Sequence, residues 1–324
     1  MTTIRLVVRQ HRWVVVVVVV AALIIAAGAL VVWSALVGLS TPANCIEDRF
    51  LDPIPTECIG TEDFLRLNED LAGKVMASMF VLPLLGGILL GAPLVASELE
   101  TRTATIAWSL GASRRRWLLV RLAILGFGFA VVLAIPAIAA NLLVASRPHG
   151  YDMSTAVLVD YGLRGPLVVF RGLAAFSIGV AAGLVLGRVL PALLVASVAV
   201  LVIWLVAGDF MYSGWPEPEL LVPEPDHYYR DFSDRDYGWI DASGERITWE
   251  KMTSLYPAGY DEADPNFDYT AFEVWQRSNF RQVVLGIPGE KLAFIEWREA
   301  AGLAALSLII LGGSVAAIER RRPG

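Results

Sequence analysis

Six apolar stretches, each long enough to cross a bilayer, decide what this chain can fold into. They run over 13–37, 75–96, 117–145, 167–187, 189–207 and 300–318. A hydrocarbon core about 30 Å thick takes roughly 20 apolar residues as a helix. No water reaches the backbone there, so a spanning segment must satisfy its own N–H and C=O groups. That requirement overrides local preference. The valine run from Val14 to Val20 favours strand in water but must be helical in lipid. The 56% hydrophobic content exceeds the roughly 45–50% of soluble domains. The expected fold is an all-α polytopic membrane protein. Residues 1–208 form a membrane domain with spans 1 to 5. Residues 209–299 form a large external segment, acidic and rich in aromatics. Residues 300–324 hold span 6 and a cytoplasmic tail.

Short-loop arginines set the orientation. Arg5, Arg9 and Arg12 precede span 1, and Arg102, Arg114, Arg115, Arg116 and Arg121 lie between spans 2 and 3. Arg188 joins spans 4 and 5, and Arg320, Arg321 and Arg322 follow span 6. Six spans put all of these on one side, read as the cytoplasm, with both termini inside. The first span reads as a retained anchor, because it is longer than a signal-peptide core and no small-residue cleavage site follows it. Residues Thr2 to Arg12 read either as an interfacial helix or as a positive flank that orients span 1. Cys45 and Cys58 both fall in the first external loop. Two thiols close together on the oxidising side suggest a disulfide.

Between spans 2 and 3 lies a charged island, Ala96 to Arg121. Ser97 followed by Glu100 fits a capping box, which predicts a helix from Glu98 to Leu110 with Gly111 as its stop. Glu98 would then sit at the positive end of the helix dipole. Leu99, Thr103, Ile106 and Leu110 share one face of that helix; Glu98, Arg102, Thr105 and Ser109 share another. Ser113 is placed to cap the next helix, which opens on Arg114, Arg115 and Arg116. This describes a short amphipathic cytoplasmic helix trapped between two spans, so a push on it must reach both.

Other features read as packing. Gly87 and Gly91 allow close helix approach in span 2. Arg171, near the outer end of span 4, reads as snorkelling to the interface in preference to a functional charge within the membrane. Arg188 alone separates spans 4 and 5, a tight hairpin with Pro191 in the first turn of span 5. The segment from Asp209 to Glu299 has too many aromatics for disorder, and Asp264 to Leu285 is compatible with a helix presenting Phe272 and Trp275 on one side. Asp231, Asp234, Asp236, Asp241 and Glu245 read as a solvated acidic face, since their spacing departs from a calcium loop.

Several chemistries lack their motifs. None of the three lysines, Lys74, Lys251 and Lys291, sits in a phosphate-cradling loop, so ATP cannot be held in the P-loop manner. His11, His149 and His227 share no metal spacing, and no nucleophile elbow is present. The chain therefore does not read as an enzyme. No basic nucleic-acid surface exists either.

The stretch GAPLVASELETRTATIAWSLGASRRRWLLVRL, from Gly91 to Leu122, resembles the central motif of ABC-2 type transporter permeases. Glu98, Thr103 and the arginines Arg114 to Arg116 match that motif, and Arg102 replaces the family's glycine before the threonine. The resemblance implies the membrane subunit of a bacterial ABC exporter in the plasma membrane. It implies that the loop helix, with Glu98, Glu100, Arg102 and Thr103, couples to a separate ABC ATPase subunit, which alone binds ATP. It also implies a dimer with a second permease copy or paralogue. This chain is expected to need no cofactor and no metal. With no ring of charges in the spans, the cargo is expected to be amphipathic or lipid-like, and membrane lipids are expected partners. The other reading is a membrane-anchored sensor or accessory protein with a ligand-binding external segment.

The topology is testable. In a background lacking Cys45 and Cys58, cysteines placed at Ser109 and Ser243 should react with an impermeant maleimide from opposite sides of the membrane. Labelling of both from one side would overturn the six-span orientation.

Overall fold

The computed structural model describes residues 9–39, 61–104, 108, 113–145, 161–213, 219–221, 232–261 and 267–320. In chain order it holds α1 (Arg12–Leu39) and a short α2 (Thr61–Arg66), which continues through a π-helical stretch (Leu67–Ala72) into α3 (Gly73–Glu100). Then come α4 (Arg114–Ala145), α5 (Gly165–Leu186), α6 (Val189–Ser213), β1 (Glu219–Leu221), β2 (Phe232–Ile240) and β3 (Arg246–Ile247). The chain ends with α7 (Trp249–Ser254), α8 (Tyr269–Asn279), β4 (Arg281–Pro288) and α9 (Gly289–Arg320). Among the described residues six helices are long and apolar enough to cross a membrane. Spans 1 to 6 are α1, α3, α4, α5, α6 and α9. The chain divides into two compact units. One comprises Met1–Arg147, Asp160–Trp215 and Ile295–Gly324; the other comprises Pro148–Val159 and Pro216–Phe294.

Spans 2 and 4 form the centre of the first unit. In their most apolar windows 67% of residues are buried, against 17% in spans 5 and 6. Lipid tails are as apolar as leucine, so helices associate in a bilayer by close packing. Glycines permit that packing here. A Cβ at Gly87 would stand 2.6 Å from the Gly172 carbonyl oxygen, and one at Gly179 would stand 2.9 Å from the Ala92 amide nitrogen. A Cβ at Gly91 would overlap the Phe176 carbonyl, and one at Gly183 the Ala92 carbonyl. Leu94, Leu118, Leu133 and Phe176 are buried around this contact, with Val18 and Ala22 of span 1 closing it from another side. Spans 4 and 5 form the expected hairpin. Gly187 ends span 4 at φ 62° with its N–H on the Gly183 carbonyl, and span 5 starts at Val189.

Two expected boundaries are corrected. Span 2 does not end at Ala96 but continues to Glu100. The Ser97 hydroxyl donates to the Pro93 carbonyl at 2.6 Å within the same helix, so it does not cap a new one. The helical stretch containing span 6 begins at Gly289, not at Ala300.

The second unit contains a four-stranded antiparallel sheet in the order β1-β4-β2-β3, which the sequence reading did not anticipate. Strands β1 and β3 are short, and β2 is interrupted by a register shift between Asp234 and Asp236. The helix expected within 264–285 is α8, and the chain turns extended at Phe280 to enter β4. Ile247, Met252 and Phe272 form the small core, ringed by Tyr256, Tyr260, Phe267 and Trp275. In the acidic turn the Asp241 carboxylate accepts from the Ser243 hydroxyl and the Ser243 and Glu245 amides, which hold it below the usual carboxylate range. Cys45 and Cys58 lie outside the described residues.

The contact between spans 2 and 4 has a direct test. Gly91→Ala sets a methyl against backbone that cannot move away, and overpacking of this kind costs about 1–3 kcal/mol. Gly128→Ala, where a Cβ meets nothing within 4 Å, should be neutral or slightly stabilising. Thermal unfolding of the two variants in detergent micelles measures the difference.

Candidate functional site

Span 2 ends in polar residues that tie it to three other spans. Glu98 is buried, 3% exposed, and forms an ion pair with Arg121 of span 3. Gln10, just before span 1, closes a triangle. Its Nε2 donates to Glu98 Oε1 at 2.5 Å, and Arg121 Nη1 donates to its Oε1 at 3.3 Å. The Arg121 guanidinium also lies 4.3 Å from the centre of the Trp117 ring. A buried charge is tolerated when it is paired and hydrogen-bonded, and both partners meet that condition. His11 lies beside them, and burial followed by the Arg121 charge pushes its pKa down to about 4. It therefore stays uncharged at neutral pH and adds no second cation to the cluster.

Glu100 makes the third tie. Its Oε2 accepts the Val189 amide at 3.0 Å, capping span 5 where the helix dipole favours a carboxylate. One turn of span 2 thus holds the entrance of span 1, the start of span 3 and the start of span 5.

The chain leaves span 2 through an exposed turn. The Thr101 amide bonds back to the Ser97 carbonyl at 3.1 Å, and Arg102 follows at φ 60°. This left-handed conformation costs a residue with a Cβ about 1–2 kcal/mol and is the usual place for glycine after a helix. Arg102 thus holds a position that glycine usually fills after a helix. Thr103, Ala104 and Trp108 are helical. Trp108 packs edge-on against Trp117 at 5.9 Å, with the Arg114 guanidinium 4.9 Å above it. Ser113 caps span 3 as expected, its Oγ accepting from the Arg116 amide at 3.2 Å.

Of the expected site residues, Glu98 is buried, whereas Glu100, Arg102 and Thr103 are exposed. Glu100 holds the Val189 amide, and the Thr103 hydroxyl donates to the Glu98 carbonyl at 3.4 Å. The helix expected to begin at Glu98 is corrected: Glu98 lies in the last turn of span 2, at the negative end of that dipole, and Arg121 offsets the unfavourable placement.

A second polar cluster lies at the other end of the spans and escaped the sequence reading. Arg171 of span 4 does not snorkel. It is 6% exposed, and its Nη2 and Nε donate to Glu299 Oε1 of span 6 at 2.9 and 3.3 Å. Its Nη1 donates to the Gly162 carbonyl at 2.8 Å, and its guanidinium lies 4.2 Å from the Trp204 ring centre. Gly162 has φ 72°, and a Cβ there would collide with the guanidinium. Tyr161 donates to Glu299 Oε2 at 2.6 Å; burial, then that carboxylate, holds the phenol above its usual pKa. The only sequence signal was a cation inside an apolar stretch, since its partner lies 128 residues away.

Breaking this pair should be costly and removing it whole should not. Glu299→Leu leaves Arg171 buried without its anion and should cost about 3–5 kcal/mol. The double variant Arg171→Met, Glu299→Leu should recover most of that loss. Thermal unfolding in micelles gives both values, and equal losses in the single and double variants would contradict the pairing.

Among the described residues no group of three or more His, Cys, Asp or Glu is positioned to hold a metal ion. No curated protein and no solved structure matches the chain. A family model does: ABC-2 membrane transporter related, over residues 14–211. That match covers nearly all of spans 1 to 5, the exposed turn, and Glu98, Glu100, Arg121 and Val189, which meet at the end of span 2, with Gln10 just outside it. With more than half of its length matched, the chain belongs to the ABC-2 membrane transporter related family, as a multi-pass membrane component of a transporter.

Proposed function

We propose that this chain is the permease subunit of an ATP-binding cassette exporter in a bacterial plasma membrane, driven by a separate ATPase. The arginine-rich end and both termini are cytoplasmic in this reading. One observation carries it: the exposed turn Thr101–Thr103 issues from a span end bonded to spans 1, 3 and 5. The ATPase touches Arg102 and Thr103. Glu98 and Glu100 pass the displacement on, because a rigid span cannot shift its last turn without moving whatever is bonded to it. ATP is held by the partner alone, so this chain carries no cofactor. Two permease copies, identical or paralogous, enclose the pathway. The apolar walls of the spans suit an amphipathic or lipid-like cargo.

Arg102→Glu and Thr103→Trp test this assignment. Reversing a charge at an interface rim, or placing a bulky ring there, should weaken co-purification with the ATPase about tenfold. Stimulated ATP hydrolysis should fall with it while membrane insertion stays intact. Unchanged association and unchanged hydrolysis would reject the coupling role.

A further inference from the structure

Between its ends, where Glu299 pairs with Arg171 and Ile318 is buried in the core, span 6 stands off spans 3 and 4. Between them runs an apolar groove of about 920 Å³, walled by Phe127 and Gly128 of span 3, Phe170 and Leu173 of span 4, and Ala304 and Leu308 of span 6. A second hollow of about 640 Å³ shares Leu122, Ala123, Leu308 and Leu311 with it and opens beside Arg115 and Glu319. The two make one groove that starts at the arginine-rich end. From Arg115 to Phe127 it covers roughly 18 Å along the helix, about the depth of a single leaflet, half of a core roughly 30 Å thick.

Three observations select the occupant. Ser307 is the polar side chain in the deep part of the groove, and its hydroxyl is already bonded to the Leu303 carbonyl at 2.7 Å. Water needs two to four polar partners, so the deep part suits hydrocarbon. The mouth carries Arg115, exposed and without a hydrogen bond or ion pair among the described residues, flanked in sequence by Arg114 and Arg116. Arg115 and Glu319 line that mouth as one cation and one carboxylate, and the neighbouring Arg114, Arg116 and Arg320 leave an excess of positive charge around it, which favours an anion. We propose that the groove between spans 3 and 6 is a binding site for one glycerophospholipid with an anionic headgroup. Its phosphate lies at Arg115 and its acyl chains run inward past Leu308 to Phe127. This site does not depend on the ATPase reading.

The test uses the full chain in nanodiscs of phosphatidylcholine and phosphatidylglycerol with matched acyl chains, re-extracted and examined by native mass spectrometry. Wild type should retain one lipid per chain, with phosphatidylglycerol favoured about fivefold. Arg115→Gln, on an exposed side chain, should keep the lipid but lose the preference. Ala304→Phe and Leu308→Trp, which fill the groove from separate positions, should each lose the lipid while keeping the wild-type unfolding temperature. Equal retention of both lipids by wild type would overturn the proposal, as would full retention by both filled variants. Efficient cross-linking between copies through Leu308→Cys, in a background without Cys45 and Cys58, would overturn it in favour of a second copy covering the groove.

Discussion

The approach of span 2 to span 4, close enough that only glycine fits at Gly87, Gly91, Gly179 and Gly183, is the contact on which the rest of the membrane unit depends. In a bilayer no hydrophobic effect drives one apolar helix onto another, so the gain comes from packing area and near-contact of backbones. Each of these glycines gives up helix propensity, and the loss is tolerated because the helices then share their whole length. The pair becomes a stiff core. Spans 1 and 3 pack around it, while spans 5 and 6 keep most of their surface outward.

That stiffness gives the polar end of span 2 its meaning. Glu98 and Glu100 stand at the last turn of the best-anchored helix and reach outward to less buried ones. The geometry is economical: a single turn holds Gln10 and Arg121 on one carboxylate and the Val189 amide on the other. Arg171 and Glu299 fasten span 6 to span 4 at the other end in the same manner, by a buried pair whose hydrogen bonds are nearly all satisfied within the protein. Between those ends the sixth span borders a groove on one side and packs Ile310, Leu311 and Val315 only partly against the core, so that with span 5 it is among the least buried spans.

Much of this was legible in the residues. The spans follow from hydropathy because lipid permits only helices there, and Ser113 was recognisable as a cap from its place before three arginines. Gly87 and Gly91 announced close packing. The end of span 2 was misread for a physical reason. Ser97 and Glu100 have the spacing of a capping box, but a serine hydroxyl also bonds the carbonyl four residues back, and with Pro93 supplying that carbonyl the helix simply continues. Glu98 then needs a cation, and the one it meets is Arg121, across space in the next span. Arg171 poses the same difficulty on a larger scale, because its partner Glu299 lies in what composition marks as external segment. Hydropathy reports where a helix leaves the apolar layer and is silent on which polar residues meet afterwards. The sheet of the second unit was hidden because β1 and β3 are too short to show alternation.

The central claim is that Glu98 and Arg121 act as one joint between the exposed turn and the spans. A double-mutant cycle on ATPase stimulation, using Glu98→Gln, Arg121→Gln and the double variant in complex with the ATPase, measures it most directly. If the two side chains work as one, the double variant is no worse than the poorer single, and the cycle gives an interaction energy of about 0.5–3 kcal/mol. Losses that add to within about 0.5 kcal/mol would show that the two residues act independently and would contradict the joint.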